Sequence, residues 1–508
     1  MQENLSVEIT TQAQLDLKDD LLELIMLIEQ SLFLAKTLNR EYVKNSWHIS
    51  SHIQKSYLLE IDQLIHSFLT LIDSLDKQIH LPNFDIDSSR IVKYNAKQMY
   101  RYLLTRLSAL AVATEYQSPS SSHTLNPETG RFIGKYIANM NDYKRDYHQD
   151  EIPFEQKFKK EYIDGFLTLP IHTFLTSSGM ASCTTILSFL LQEKKLNRGV
   201  LLGENTYFQC KRMILKTCET TRTPTVSIRE DKTSEICEYI KSSEPSAIFL
   251  DSGTNSFDMT TPNLSVIVDF LVKTVRKDTY LVIDNTCLAT SVQPYVKIFG
   301  KSRFLHLIVY ESLNKYHQFG LDRVTAGVIW AYGKDTEKLF DYRRDLGTNI
   351  TDASTYCLPL PNRIMLEKRL NRLERNTLYL AQFCEKVIKS ANSKKLSCVS
   401  YCALPAHPSY SWMRHASFHG CFFVIQAKPQ YDKTSTYSSL LKKIMNTAKE
   451  KNISLIRGTS FGFDITRIYH ISYNEGDVRP FLRISVGTED MVQIKRIGQV
   501  LEQVIRPF

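Results

Sequence analysis

The stretch Phe304-Leu-His-Leu-Ile-Val-Tyr310, followed by Glu311-Ser-Leu-Asn-Lys315, is an apolar run that ends in a polar turn and a lysine. This pattern predicts a buried strand with Lys315 close to its carboxyl end. A second apolar run, Tyr280-Leu-Val-Ile283, ends in the same way on Asp284. Similar runs alternate with helical patterns from about 150 to 345, which predicts a parallel α/β sheet. The other predicted strands are Thr173–Thr176, Val200–Gly203, Ala247–Asp251 and Ala326–Trp330.

Lys315 and Asp284 are the pair of side chains that pyridoxal 5′-phosphate (PLP) requires. Sheets of this kind bind ligands beyond the carboxyl ends of their strands, where both residues are expected. The lysine forms a Schiff base with PLP, and the carboxylate keeps the pyridine nitrogen protonated. A lysine that follows a strand is otherwise a surface residue, so the interpretation depends on further motifs.

A candidate phosphate site lies in Phe174-Leu-Thr-Ser-Ser-Gly-Met180, which leads from an extended stretch into a helical pattern. Small residues at such a turn let the backbone N–H groups of Gly179 and Met180 point at an anion. An ordinary helix N-cap formed by Ser177 or Ser178 is the alternative.

Three more polar or aromatic residues follow or occupy predicted strands. Tyr207 could stack on a cofactor ring or simply pack, and Asn255 could bond a ring hydroxyl or stabilise a turn. Arg483, in an apolar strand that starts at Phe481, needs an anion. A substrate carboxylate would serve, and an ion pair with Glu489 or Asp490 is the alternative.

Several of these motifs together resemble the Cys/Met-metabolism (transsulfuration) family of PLP enzymes, which includes cystathionine γ-synthase, cystathionine lyases and methionine γ-lyase. The matching segments are Ser178-Gly-Met-Ala181, Asp284-Asn-Thr286, Ser312-Leu-Asn-Lys-Tyr316, the run from Arg483 to Asp490, and Tyr143-Lys-Arg145. The resemblance covers roughly residues 130 to 508, with the motifs in the family's order.

The resemblance implies a fold-type I PLP-dependent transferase fold: a mostly parallel seven-stranded sheet and a smaller C-terminal α+β domain. It implies catalytic roles for Lys315 and Tyr207, and substrate binding by Arg483 and Ser460. It also implies a homodimer or dimer of dimers with shared active sites, in which Tyr143 and Arg145 reach the phosphate of the neighbouring subunit. The implied PLP-binding residues are Ser178, Gly179, Met180, Tyr207, Asn255, Asp284, Ser312, Asn314, Lys315, Tyr143 and Arg145.

The chain departs from the family pattern at three places. Asn314 replaces a threonine before the lysine and should still reach a phosphate oxygen. The turn around Asn255 reads Gly253-Thr-Asn-Ser256 and lacks the family's prolines. The loop Ser460-Phe-Gly-Phe-Asp-Ile-Thr466 has Phe463 for a glycine and Ile465 for a glutamate, beside the expected position of the substrate's distal part.

Composition describes an ordinary globular protein of 508 residues with 43% apolar and 23% charged residues. No signal peptide and no membrane span are expected. The ten cysteines are scattered, which favours reduced thiols and a cytoplasmic location and gives no spacing typical of a metal site. The net charge of +9 does not imply nucleic-acid binding, because only Lys368–Arg375 is densely basic. That stretch is expected to be a solvated helix face.

The first 116 residues predict a helical extension that is atypical of the family. Three apolar stripes at helical spacing indicate three amphipathic helices. The extension is expected to pack on the catalytic part or a dimer partner, and an active-site lid or a docking surface are the alternatives. The stripes contain Leu21, Leu24, Ile25, Ile28, Leu32 and Ala35; Tyr57, Ile61, Leu64, Ile65, Phe68, Ile72 and Leu75; and Met99, Leu103, Leu107 and Leu110.

The predicted organisation is an extension (1–116), a linker and intersubunit arm (117–150), a PLP-binding domain (151–350) and a small domain (351–508). The expected activity is elimination or replacement at the γ or β carbon of an amino acid such as cystathionine, methionine or an O-substituted homoserine. A specialised biosynthetic enzyme that forms a C–C bond or performs an unusual elimination is the alternative. A non-catalytic scaffold is disfavoured because Lys315, Asp284 and Arg483 are all retained.

Overall fold

The computed structural model describes residues 7–44, 51–112, 150–165, 171–298, 300–471 and 479–508. Its α-helices are α1 (Val7–Lys44), α2 (Ser51–Ile79), α3 (Ile86–Val112), α4 (Ile152–Tyr162), α5 (Gly179–Gln192), α6 (Phe208–Thr221), α7 (Thr233–Ser243), α8 (Leu264–Thr274), α9 (Tyr295–Ile298), α10 (Leu339–Asp345), α11 (Asp352–Thr355), α12 (Arg363–Ser390), α13 (Tyr410–Met413), α14 (Thr434–Glu450) and α15 (Met491–Ile505). Its strands are β1 (His172–Thr176), β2 (Val200–Gly203), β3 (Thr225–Ile228), β4 (Ala247–Asp251), β5 (Thr279–Asp284), β6 (Leu305–Ser312), β7 (Gly327–Tyr332), β8 (Leu396–Ser400), β9 (Phe422–Ala427), β10 (Ile456–Arg457), β11 (Arg467–Ile471) and β12 (Phe481–Ser485).

The larger sheet has seven strands in the order β1-β7-β6-β5-β4-β2-β3. Neighbours from β3 to β6 run parallel, and β7 is antiparallel to both β6 and β1. The prediction of a mostly parallel seven-stranded sheet is therefore confirmed. The strand β3 was missed because it is a four-residue edge strand without a fully buried residue, so its sequence carries no continuous apolar run.

The smaller sheet has five strands in the order β10-β11-β12-β9-β8. β9 and β12 lie next to each other and are antiparallel. Both are almost completely buried, and β12 is the apolar strand predicted to start at Phe481. This sheet faces the carboxyl ends of the central strands of the larger one, because residues of both line the same cavity.

The N-terminal extension consists of α1, α2 and α3, and α1 packs mainly on α2. The predicted stripes on α1 and α2 are largely buried. On α3, Leu103, Leu107 and Leu110 are buried as expected, whereas Met99 is 51% exposed, so its assignment to the stripe is wrong. Tyr100, one residue further along, takes the buried position and bonds with Ser31 of α1.

The basic stretch Lys368–Arg375 of α12 is not a solvated face, and this prediction is wrong. Arg369 is 3% exposed and contacts Glu23 of α1 through its guanidinium. Arg372 and Arg375 both form ion pairs with Asp16 of α1. The charges are buried because the acidic residues of the extension pair with them, and a local sequence pattern does not show such a distant partner.

Within the described residues, no helix is long and apolar enough to cross a membrane. Residues 117–149 of the predicted linker and intersubunit arm (117–150) lie outside the described residues, and the domain boundaries at 116, 150 and 350 remain predictions.

Candidate active site

A cavity of about 490 Å³ lies between the carboxyl edge of the larger sheet and the smaller sheet. Most of the sequence-predicted site residues in the described part of the chain line it, although the outermost two, Ser178 and Arg483, are 305 positions apart in sequence. Its predicted lining residues are Ser178, Gly179, Met180, Tyr207, Asn255, Asp284, Ser312, Lys315, Ser460 and Arg483.

Lys315 follows β6 by three residues and is partly buried in the cavity wall. Its amine donates a hydrogen bond of 2.9 Å to the hydroxyl of Ser460, and it lies 5.2 Å from the ring centre of Phe461. Burial lowers the pKa of Lys315 to about 8, and the positive charge of Arg483 acts in the same direction. A substantial fraction of the amine is therefore neutral near physiological pH, as a nucleophile or base requires.

Arg483 lies in the middle of β12 and is 3% exposed. Its guanidinium donates a 2.8 Å hydrogen bond to the side-chain oxygen of Asn255 and lies over the ring of Phe422. The acidic residues proposed as its alternative partners bond elsewhere. Glu489 accepts from the backbone of Thr466, and Asp490 forms an ion pair with Arg90 of α3.

Asp284 ends β5 at the bottom of the cavity and accepts a 3.0 Å hydrogen bond from the backbone N–H of Thr286. Burial raises the pKa of Asp284. Asp251 ends the neighbouring strand β4 directly beside it, and burial together with the charge of Asp284 raises the pKa of Asp251 well above its ordinary value. Two adjacent buried carboxyls cannot both ionise easily, which favours the protonated form of this pair.

The first turn of α5 and the residue before it also line the cavity, through Ser178, Gly179 and Met180. Ser178 caps this helix by accepting from the N–H of Ala181 at 3.0 Å, so the predicted N-cap and the predicted anion site are the same turn. The N–H groups of Gly179 and Met180 fall in the first turn, where no intrahelical acceptor exists. A Cβ on Gly179 would come within 2.9 Å of Ser312 Cβ, so only glycine lets these two cavity segments meet.

Tyr207 precedes α6 and is held at the cavity by its backbone, whose N–H donates to Asp251 at 2.9 Å. Its hydroxyl donates to Gln209, and its side chain remains 37% exposed. An aromatic ring in this position can cover the face of a flat ligand.

Five residues that the sequence analysis singled out are not placed in the cavity. The side chain of Asn314 accepts from the N–H of Ala326 and does not line it, so a contact to phosphate remains a prediction. Phe463 and Ile465 also do not line it. Phe463 instead packs under Arg467, whose guanidinium lies 3.5 Å from the ring centre. Tyr143 and Arg145 lie outside the described residues.

Sequence reasoning missed several lining residues. Asp251 carries the same signal as Asp284, an acidic residue at the end of an apolar strand, and could have been found by that rule. The aromatic residues that the small domain contributes to the cavity, Phe422, Phe461 and Tyr469, gave no local signal because they lie on separate strands and loops. The missed residues include Asp251, Thr286, Tyr310, Phe422, Phe461, Tyr469 and Ile471.

Comparison of the chain with known protein families shows which family has a cavity of this kind. The model of the Cys/Met metabolism PLP-dependent enzyme family matches residues 131–499. A curated relative, the bifunctional enzyme flvA of Aspergillus flavus, is 25% identical over 332 residues. The match covers 63% of this chain, and the chain spans only 38% of the length of that relative.

Solved structures show the same fold at low sequence identity. MetB from Corynebacterium glutamicum is 19% identical with a TM-score of 0.56, covering 73% of this chain and 89% of that chain. Cystathionine gamma synthase from Xanthomonas oryzae pv. oryzae, in complex with aminoacrylate and cysteine, is 15% identical with a TM-score of 0.53 (72% and 88% covered). CalE6, a methionine gamma lyase from Micromonospora echinospora, is 16% identical with a TM-score of 0.53 (72% and 88% covered).

These matches confirm the resemblance and the fold-type I architecture. The family match spans more than half of the chain and includes each lining segment of the cavity. The chain is a member of the Cys/Met metabolism PLP-dependent enzyme family, and its cofactor is pyridoxal 5′-phosphate.

Proposed function

We propose that this enzyme eliminates or replaces a substituent at the γ or β carbon of an amino acid such as methionine, cystathionine or an O-substituted homoserine. The observation that carries the proposal is the single cavity that contains Lys315, Asp284 and Arg483. A lysine with a lowered pKa, a buried carboxyl and a buried arginine are the groups that such chemistry needs in one place.

The cavity residues fit PLP. The first turn of α5 offers N–H groups to a phosphate, and the hydroxyl-bearing Ser312 lies against it. Among the described residues, no lysine or arginine forms an ion pair with Asp284. A buried carboxylate of this kind suits a protonated pyridine nitrogen, which would lower its pKa again.

When bound, PLP supplies an electron sink that stabilises negative charge on substrate carbon atoms. Arg483 is proposed to bind the substrate carboxylate and fix the orientation of the amino acid in the cavity. Lys315 would accept and return protons at its Nζ atom, with the hydroxyl of Ser460 holding that atom in place. Phe422, Phe461, Tyr469 and Ile471 give the small-domain wall an apolar surface that excludes water from the substrate's side chain.

An absorbance scan with reductive trapping tests this proposal. The purified protein is expected to absorb at about 420 nm, and borohydride should bleach this band and leave the pyridoxyl group on Lys315. Peptide mapping of the reduced protein, with the Lys315→Ala variant as control, locates the label. A label on any other lysine contradicts the assignment.

A substrate screen then defines the reaction. The candidates are methionine, homocysteine, cystathionine and O-acylhomoserines, each with and without an added thiol. Release of an α-keto acid supports elimination, and a new thioether supports replacement.

A second candidate is a specialised biosynthetic reaction with C–C bond formation or an unusual elimination. The altered loop Ser460–Thr466 favours it, because this loop carries both Ser460 and Phe461 of the cavity wall. Tandem mass spectrometry and NMR of the products distinguish C–C bond formation from replacement, because replacement by a thiol joins the new group through sulfur, whereas C–C bond formation joins it directly to a carbon atom of the amino acid.

The proposal includes a cytoplasmic homo-oligomer whose subunits share active sites through Tyr143 and Arg145. Mixing the inactive variants Lys315→Ala and Arg145→Ala should restore part of the activity in heterodimers, since one of the two sites then has both residues intact. Verified subunit exchange without any recovery would argue against shared sites.

A further inference from the structure

Lys97 of α3 connects the N-terminal extension to two segments that carry residues of the cofactor cavity. Its ammonium donates a 2.6 Å hydrogen bond to the carbonyl of Phe319 and a 2.5 Å hydrogen bond to the carboxylate of Asp464. The side chain of Lys97 is 11% exposed, so these contacts are shielded from solvent. The extension lies entirely outside the family match, which begins at residue 131.

Both partners of Lys97 belong to segments that form the reactive part of the cavity. Phe319 lies four residues after Lys315, and Asp464 lies four residues after Ser460. The two segments touch at Gly462, where an added Cβ would come within 2.7 Å of the Lys315 carbonyl carbon. Lys97 therefore joins the backbone that carries the reactive amine to the loop that carries its hydrogen-bond acceptor.

The turn after Lys315 is held in an unfavourable backbone conformation. Phe319 is completely buried and has φ of +50°, in the left-handed region that a bulky side chain seldom adopts. Such a backbone conformation is unfavourable and persists only where the surroundings enforce it. The hydrogen bond from Lys97 to the Phe319 carbonyl is one of the contacts that enforce it.

Asp464 is also held from the core side. Arg369 of α12 contacts Asp464 at 2.7 Å, donates to the Gly462 carbonyl at 3.2 Å and pairs with Glu23 of α1 at 3.1 Å. Glu23, Lys97, Arg369 and Asp464 thus form a buried interface network between the extension and the catalytic part. Although burial opposes it, the charges of Lys97 and Arg369 hold the pKa of Asp464 well below its ordinary value, so Asp464 stays ionised.

We propose that Lys97 of the N-terminal extension is a positioning residue of the active site, which fixes the Ser460 hydroxyl against the Lys315 amine. The extension is then part of the catalytic apparatus and not only a packing element. The inference rests on the proposed role of Lys315.

The test compares Lys97→Met with the matched control Lys93→Met. Lys93 lies one helical turn earlier on α3 and has a similarly buried side chain (17% exposed), but its ammonium bonds with Asp20 of α1 at 2.7 Å instead of with Phe319 and Asp464. Two properties are measured in each full-length variant: kcat and KM of the PLP-loaded enzyme, and the pH dependence of acetylation of Lys315 in PLP-free protein by mass spectrometry.

Lys97→Met is expected to lower kcat about 10- to 100-fold, because small displacements of a reactive group are costly. The pH midpoint of Lys315 acetylation should rise toward the ordinary lysine value, since a loosened loop admits water to the amine. Lys93→Met should leave kcat and KM within about twofold of wild type and the acetylation midpoint unchanged. It should lower the free energy of unfolding about as much as Lys97→Met does. Equal effects of the two substitutions on the acetylation midpoint, or an unchanged midpoint in Lys97→Met, would overturn the inference.

If Lys97→Met does not fold, Lys97→Gln replaces it, because an amide still donates to the Phe319 carbonyl. This variant should shift the acetylation midpoint in the same direction by a smaller amount, and no shift overturns the inference. The acetylation experiment uses no cofactor. A wild-type protein without absorbance at about 420 nm would therefore contradict the proposed function. The role of Lys97 is decided separately, by comparing the pH midpoints of Lys315 acetylation in the Lys97 and Lys93 variants.

Discussion

Two buried groups of charges lie close together in this molecule and differ in how they are balanced. In the interface network, Lys97 and Arg369 both contact the Asp464 carboxylate, and Arg369 also contacts Glu23. In the cavity, Lys315 donates to a serine hydroxyl, and two carboxyls, Asp251 and Asp284, lie side by side.

The difference separates charges that hold protein segments together from charges that are available to a ligand. The interface network is balanced by oppositely charged partners within the protein, so removing one partner leaves an uncompensated buried charge. The cavity shifts the pKa of Lys315 downward and the pKa of Asp251 upward, which is a common property of sites that bind charged ligands. Substitutions of Arg369, Arg483 and Lys315 test this contrast, and a substitution of Met99 tests the packing of the extension.

The largest effect on stability is expected for Arg369→Met in the interface network. Loss of the guanidinium leaves Glu23 and the Gly462 carbonyl without their partner, and should lower the free energy of unfolding by about 3–5 kcal/mol. Urea unfolding of the PLP-free protein measures it. Arg375→Met, whose side chain is 33% exposed and pairs with Asp16, is the control and should lose less. Equal losses would contradict the role of burial.

Arg483→Gln in the cavity should affect the reaction more than the fold. Loss of a charged hydrogen-bond donor for the substrate carboxylate costs about 1.5–3 kcal/mol, or about 10- to 100-fold in kcat/KM. Steady-state kinetics with the best substrate measure this loss. Arg479→Gln is a suitable control, because Arg479 pairs with Asp432 outside the cavity. An unchanged kcat/KM in Arg483→Gln would exclude Arg483 as the carboxylate site.

The pH dependence of stability should reveal Lys315. Its pKa of about 8 in the folded protein lies below the ordinary 10.5, so between these values the unfolded chain binds a proton that the folded chain does not. The free energy of unfolding of PLP-free wild type should therefore rise with pH in this window, relative to Lys315→Met, and this gain is lost as the pH falls through about 8. Parallel urea titrations of both proteins measure the difference. Identical pH profiles would show that the amine is not perturbed.

The smallest effect is expected for Met99→Glu on the exposed side of α3. Met99 is 51% exposed, and a substitution there should change the free energy of unfolding by less than about 0.5 kcal/mol. Tyr100→Glu is the contrasting variant, because Tyr100 is 2% exposed and a buried, unpaired carboxylate is strongly destabilising. Equal unfolding midpoints of these two variants would contradict the orientation of α3.

Much of the catalytic part could be predicted from sequence because its signals are local. Lys315 and Asp284 follow or end strongly apolar parallel strands, which bring such ends to one edge of a sheet. Arg483 was found by a different local signal, a lone charge within the apolar strand β12 of the smaller sheet. Asp251 was missed although it carries the same signal as Asp284. The short strand β3 was missed because an edge strand needs no apolar run.

The sequence by itself determined most strands of the larger sheet, because apolar runs and the residues that end them are properties of neighbouring positions. Its motifs carried the resemblance to the PLP family, and that resemblance implied the chemistry of the site. Only the tertiary structure decided what surrounds the charges. Arg369 looked like part of a solvated helix face, and Lys97 had no visible role. The fold placed both against Asp464, which is 95 and 367 positions away from them respectively. Burial and pairing depend on such distant contacts, so a local pattern cannot specify them.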